Sequence, residues 1–230
     1  MKHKAVIFDL FGTLVDNFSR REHRGVLAKM AESLSVPVDA FQDMWANETY
    51  VDRQTGGLPS TEANILYICR TLGMGPERAQ IEAAVEVRVE FVRRGLVPRA
   101  DAVSTLAELK EARVRLGLVS NCSSEVPLLW GETPFPGLID TAVFSCEAGV
   151  MKPDPRIYLL ACDRLNVSPG ECLYVGDGSS RELTGAAQVG MSPLLIKVPY
   201  EASEDIHRPD EDAWKGQSIS SLSEVLCLAL

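Results

Sequence analysis

The stretch AVIFDLFGTLVD, residues 5–16, decides the fold. Its first four residues are apolar without interruption, and the run stops at Asp9. A strand covered on both faces reads this way, whereas a strand with one wet face alternates. Runs of the same character recur at 115–120 (RLGLVS), 141–145 (TAVFS), 172–176 (CLYVG) and 193–197 (PLLIK). Helical patterns lie between the later runs, at 100–113, 154–165 and 181–190. Strand and helix in alternation predict a parallel sheet with helices on both faces. The expected core is therefore α/β, a three-layer, Rossmann-like parallel sheet.

The first strand breaks the rhythm. From residue 17 to 97 strand-like sequence disappears, and helical periodicity takes over at 19–34, 38–51, 60–73 and 77–95. Gly- and Pro-containing breaks at 36–37, 56–59, 73–76 and 95–98 separate these segments. The economical reading is an all-helical cap domain, 17–97, inserted into a core made of 1–16 and 98–230. The final segment, 218–230, reads as one more helix covering that core.

Composition narrows the function. The 230 residues carry 23 basic and 32 acidic side chains, a net charge of −9, which argues against a broad basic face for nucleic acid. A locally positive pocket for a small anionic substrate is compatible with that balance. Asp9 cuts the N-terminal apolar run short, and no segment approaches the ~20 apolar residues of a membrane span. The six cysteines, Cys69, Cys122, Cys146, Cys162, Cys172 and Cys227, form no C-x-x-C pair. They read as reduced thiols rather than a disulfide frame or a zinc site. A cytoplasmic protein without membrane contact is expected.

Open α/β sheets bind ligands beyond the carboxyl ends of their strands. Those ends offer Asp9, Ser120 with Asn121, Glu147 with nearby Lys152, and Asp177. A carboxylate at a strand end can attack an electrophile and form an intermediate that water cleaves. A hydroxyl and amides can hold anionic oxygens, and a lysine can neutralise charge that develops there. A second carboxylate beside Asp9 would be repulsive unless a hard cation such as Mg2+ lay between them.

Taken in order, FDLFGTLVD, VSNCS, KPDPRIY and GDGSSRE resemble the four motifs of the haloacid dehalogenase-like hydrolase superfamily. The helical insert is similar to that of the subgroup capped after the first motif. This resemblance implies that Asp9 is the nucleophile and that Ser120, Asn121 and Lys152 assist it. It also implies Mg2+ held by Asp9, the backbone carbonyl of Phe11 and Asp177, with Glu182 as a direct ligand or a support. Ser120 and Asn121 would also bind substrate. In the cap, Trp45, Tyr50 and Arg53 are candidates for recognising a small anion, with core packing an equal reading for Trp45 and Tyr50, while Met44, Leu66 and Ile68 read as packing.

Phe11 departs from the pattern of the phosphatases in this superfamily, which place an acid two residues after the nucleophile. Such an acid protonates the leaving alkoxide, and help of that kind is worth about 10²–10⁴-fold. Its loss points to leaving groups that depart unprotonated. The expectation is Mg2+-dependent phosphoryl hydrolysis of a small phosphorylated metabolite with a good leaving group. One alternative is a metal-independent 2-haloacid dehalogenase, whose halide needs no proton and whose motifs resemble Phe11 and Tyr158. Another is a binder of phosphorylated ligands without turnover.

Overall fold

A computed structural model of the chain describes residues 3–200 and 208–230. The sheet has six parallel strands in the order β3-β2-β1-β4-β5-β6. They are β1 (Ala5–Phe8), β2 (Arg115–Ser120), β3 (Thr141–Phe144), β4 (Cys172–Gly176), β5 (Ser192–Ile196) and β6 (Ser218–Ile219). β1 is central: Ala5 pairs with Arg115 on one side and Cys172 on the other, and Phe8 with Leu118 and Val175. Strand order runs outward through β2 and β3, then restarts at β4 beyond β1. That reversal opens a crevice at the carboxyl ends of β1 and β4.

The side chains of β1 divide by the two-residue period of a strand. Val6 and Phe8 enter one apolar cluster with Leu106 and Leu109 of α6 (Ala102–Glu111) and Val225 of α12 (Val225–Ala229). Ala5 and Ile7 enter another with Ile157, Tyr158 and Ala161 of α9 (Pro155–Leu165) and Leu183 of α10 (Glu182–Gln188). The sheet is thus the middle of three layers. Burying each large apolar side chain contributes about 1.5–3 kcal/mol, which makes this doubly covered strand the firmest support available to Asp9.

The helical cap leaves the core after β1 and returns before α6. It comprises α1 (Arg20–Leu34), α2 (Val38–Asp43), α3 (Tyr50–Gln54), α4 (Thr61–Thr71) and α5 (Arg78–Gly95). Ser19 and Glu22 cap the start of α1 reciprocally, and the Ser60 hydroxyl caps α4. Apolar residues of α1, α2 and α5 join the cluster that contains Val6 and Phe8, so one core runs from cap to sheet. Two short helices, α7 (Glu125–Leu129) and α8 (Ser145–Ala148), follow β2 and β3, and α11 (Pro209–Ala213) follows β5. Among the described residues no helix is long and apolar enough to cross a membrane.

Two sequence expectations change. The single helix read over 38–51 is interrupted by a π turn, Met44–Glu48, in which Thr49 N–H and Oγ both donate to the Met44 carbonyl. After the wider turn a new helix starts at Tyr50 and carries Arg53. At the C-terminus the expected helix over 218–230 shrinks to Val225–Ala229. Ile219 pairs with Ile196 as an edge strand, and Ser221 with Glu224 forms a capping box that delays the helix.

Candidate active site

The strand ends converge as the topology requires. Asp9 follows β1 and donates its N–H to the Val175 carbonyl at 2.9 Å, which pins the turn to β4. Three successive amides, of Thr13, Leu14 and Val15, then point at the Leu10 carbonyl. Gly12 sits in this turn at φ +78°, and a Cβ there would collide with the Asp177 carboxylate and the Asn17 amide. Only glycine lets the two loops come this close. A side chain on Gly176 would likewise strike Glu182 Oε1.

Lys152 joins the acids. Its Nζ lies 2.5 Å from Asp9 Oδ1, 2.6 Å from Glu182 Oε2 and 3.3 Å from the Tyr174 hydroxyl. Tyr174 donates to Glu182 Oε2 at 2.9 Å, and Gly178 N–H donates to Glu182 Oε1 at 3.0 Å. Asp177 accepts from Ser179 N–H at Oδ1, and from Asn17 Nδ2 (2.9 Å) and Arg208 Nε (2.7 Å) at Oδ2. All five charged groups, Asp9, Lys152, Asp177, Glu182 and Arg208, are buried.

The electrostatics follow from that packing. Burial pushes the Asp9 carboxyl up, against the pull of Lys152. Burial pushes Glu182 well above the carboxylate range, with the Asp9 charge adding to it. For Lys152 burial acts downward, but Asp9 and Glu182 outweigh it and hold the ammonium charged. Burial alone would raise Asp177, yet the Arg208 guanidinium outweighs it and keeps that carboxyl low. Three carboxylates face two cations, which leaves one negative charge to be matched by a further cation or a proton.

Asp9, Asp177 and Glu182 each offer an oxygen, and these three atoms lie within 4.8 Å of one another. A buried, oxygen-only donor set with excess negative charge fits a hard divalent cation such as Mg2+. Glu182 and Asp177 each accept three donors across both oxygens, whereas Asp9 Oδ2 has none among the described side-chain contacts.

The other expected residues divide. The Ser120 hydroxyl is buried at the end of β2 and has no hydrogen-bond partner among the described residues, so it is available to an incoming oxygen. The Asn121 side chain instead holds Lys152 by its backbone, accepting from its N–H at 2.8 Å and donating to its carbonyl at 3.2 Å. Glu147 is exposed and stays outside the cluster. In the cap, Arg53 is 5% exposed, donates to the Trp45 carbonyl at 2.6 Å and stacks on the Trp45 ring at 4.6 Å. Among the described residues no carboxylate pairs with it. Burial first, then Arg88, lowers Arg53 to about 10, so it remains charged at neutral pH. Trp45 is wholly buried and offers no surface to a substrate here; it is the platform under Arg53. Phe11, two residues after Asp9, packs edge-on against Phe18, which meets Phe91 in turn, forming an aromatic wall.

Three contributors were missed in the sequence. Tyr174 was hidden as an ordinary strand residue, Asn17 as a turn residue, and Arg208 in a segment without periodicity.

Comparison with known proteins shows the family. The model of the haloacid dehalogenase-like hydrolase family matches residues 3–190. The chain is similar to a glyceraldehyde 3-phosphate phosphatase of Methanopyrus kandleri, 29% identical over 84% of each chain. It is equally similar to (S)-2-haloacid dehalogenase 1 of a Pseudomonas species, 29% identical over 99% of this chain and 96% of that one. The fold superposes on a 2-haloacid dehalogenase of Pseudomonas syringae with a TM-score of 0.72 at 23% identity, over 98% of this chain and 97% of that one. The chain belongs to the haloacid dehalogenase-like hydrolases.

Proposed function

We propose that the chain is a Mg2+-dependent phosphoryl hydrolase of a small phosphorylated metabolite whose leaving group departs without protonation, such as an acyl phosphate or a phosphoanhydride. The observation that carries this reading is the buried trio Asp9, Asp177 and Glu182, with one negative charge in excess of Lys152 and Arg208. The relative named for glyceraldehyde 3-phosphate supports a small phosphorylated substrate.

In this reading Asp9 attacks phosphorus with the oxygen that Lys152 does not hold. The bond from phosphorus to the leaving oxygen breaks, and that oxygen takes the electron pair. Water then attacks phosphorus, the aspartyl bond breaks, and the protons of that water leave on inorganic phosphate. Lys152 holds Asp9 in its attacking orientation throughout, and Ser120 donates to a phosphoryl oxygen. Mg2+, held by Asp9, Asp177 and the Phe11 carbonyl, would neutralise phosphoryl charge. The cap, residues 17–97, excludes water, and Arg53 meets a second anionic group of the substrate.

Phe11 and the Arg208–Asp177 pair favour a second reading, a metal-independent 2-haloacid dehalogenase, because Asp177 already has a counter-ion. There Asp9 would attack the halogen-bearing carbon, halide would leave with the electron pair, and water would cleave the ester. One panel separates the two: an acyl phosphate, an aryl phosphate, an alkyl phosphate and a 2-haloacid, each assayed with Mg2+ and with EDTA. Phosphate release lost in EDTA is expected. Halide release that survives EDTA establishes the dehalogenase, and no single-turnover chemistry at Asp9 on any substrate leaves a binder.

A further inference from the structure

The residue least accounted for at the site is Arg208. Its guanidinium is buried against Asp177 Oδ2, with Nη1 3.6 Å from Glu211. The segment that carries it is seated separately. Asp210 N–H donates to the Gly178 carbonyl at 3.1 Å, and the Asp210 carboxylate accepts from Thr184 N–H (3.0 Å) and Thr184 Oγ1 (2.6 Å). Glu211 also pairs with Lys197 at 2.5 Å. The bonds of Asp210 anchor α11 independently of the contact between Arg208 and Asp177.

Asp177 Oδ2 already accepts two N–H groups, from Asn17 and Arg208, which fill the two lone pairs of a carboxylate oxygen. Oδ1 accepts one from Ser179. A divalent cation reaching Asp177 meets either an occupied oxygen or a guanidinium on the same carboxylate. Both reduce its affinity, the second by repulsion between like charges at short range.

We propose that Arg208 is a resident counter-ion of Asp177 that competes with the divalent metal for this carboxylate, so that metal loading requires the guanidinium to withdraw. This rests on the Mg2+ reading above. It makes Arg208 a regulator of metal affinity and gives Asp177 a counter-ion in the metal-free site.

The test is calorimetric titration of Mg2+ into the wild-type protein, Arg208→Gln, the charge-preserving Arg208→Lys and Lys215→Gln. Lys215 is an exposed cation nearby in sequence that touches nothing in the site, so its variant controls for net charge. Arg208→Gln should bind Mg2+ on the order of tenfold more tightly, since one unit charge leaves a shared carboxylate. Arg208→Lys and Lys215→Gln should stay near wild type. Equal or weaker binding by Arg208→Gln overturns the competition and leaves the Mg2+ reading standing. Absence of binding to every protein overturns both. Should Arg208→Gln not unfold cooperatively, exchange of the Arg208 Nε–H that Asp177 holds decides in the wild type: loss of its protection on adding Mg2+ supports withdrawal, and unchanged protection refutes it.

Discussion

The side chain of Asn121 grips both backbone groups of Lys152, its Oδ1 accepting from the N–H at 2.8 Å and its Nδ2 donating to the carbonyl at 3.2 Å. A neutral amide at the end of β2 thereby aims a charged side chain that arrives from another loop. Asn121→Asp keeps the acceptor but turns the donor into an oxygen facing the Lys152 carbonyl. The expected result is a loss of about 10²-fold in kcat, the scale of an ångström of misplacement, with KM changing less. A KM effect equal to the kcat effect would instead make Asn121 a substrate ligand.

Asp9→Asn should lower turnover by at least about 10⁴-fold, as expected of a nucleophile that acts as a unit with its neighbours. Its melting should stay close to wild type, because Lys152 retains Glu182. Lys152→Met differs. It strands Asp9 and Glu182 as unpaired buried acids and should cost about 3–5 kcal/mol of stability as well as activity. Denaturant unfolding of the two variants side by side separates a chemical role from a structural one.

Phe11→Asp should raise hydrolysis of alkyl phosphates by up to ~10²-fold, the lower end of general acid help. The Phe11–Phe18 edge contact is lost in exchange, at a cost of about 1 kcal/mol. Initial rates on alkyl and acyl phosphates, with folding checked by circular dichroism, provide the measurement. No gain on the alkyl ester would mean that the pocket and not the missing acid limits that chemistry.

Stability should fall on acidification through a group outside the acid cluster. His23 packs against both Phe18 and Phe91, and burial, helped by Arg88 and Arg53, lowers its pKa from 6.5 to about 3. Between those values the unfolded chain binds a proton that the folded chain refuses. Stability is therefore full above pH 6.5 and declines as pH falls toward 3, by at most about 1.4 kcal/mol per unit. Glu125, held at about 2 by Arg88 against its own burial, acts in the same direction only below its ordinary 4.5. Comparing wild type with His23→Phe from pH 7 to 5 isolates the histidine. An unchanged slope in the variant would falsify the assignment.

The central strands were legible because each is an unbroken apolar run, and their ends named Asp9, Ser120, Asn121 and Asp177 without any coordinates. Lys152 was reachable as a neighbour of the end of β3, and Glu182 only through the order of the motifs. What escaped depends on pairing across distance. Ile219 becomes a strand because Ile196 is beside it, and its own neighbourhood reads as helix. Arg208 is 31 positions beyond Asp177, in a stretch whose pattern points nowhere. For Trp45 the sequence leaves packing and substrate recognition equally open. The structure buries it beneath Arg53, within a π turn that periodicity does not register.

The hydrogen bond from Asn17 to Asp177 spans 160 positions and joins the point where the chain enters the helical layer to the acid at the end of β4. A hinge is ordinarily placed away from the reacting groups, so that opening leaves them undisturbed. Here the entry to the helical layer and the candidate metal carboxylate share a contact. A substitution at Asn17 is therefore expected to disturb the seating of the helices and the charge held at Asp177 together.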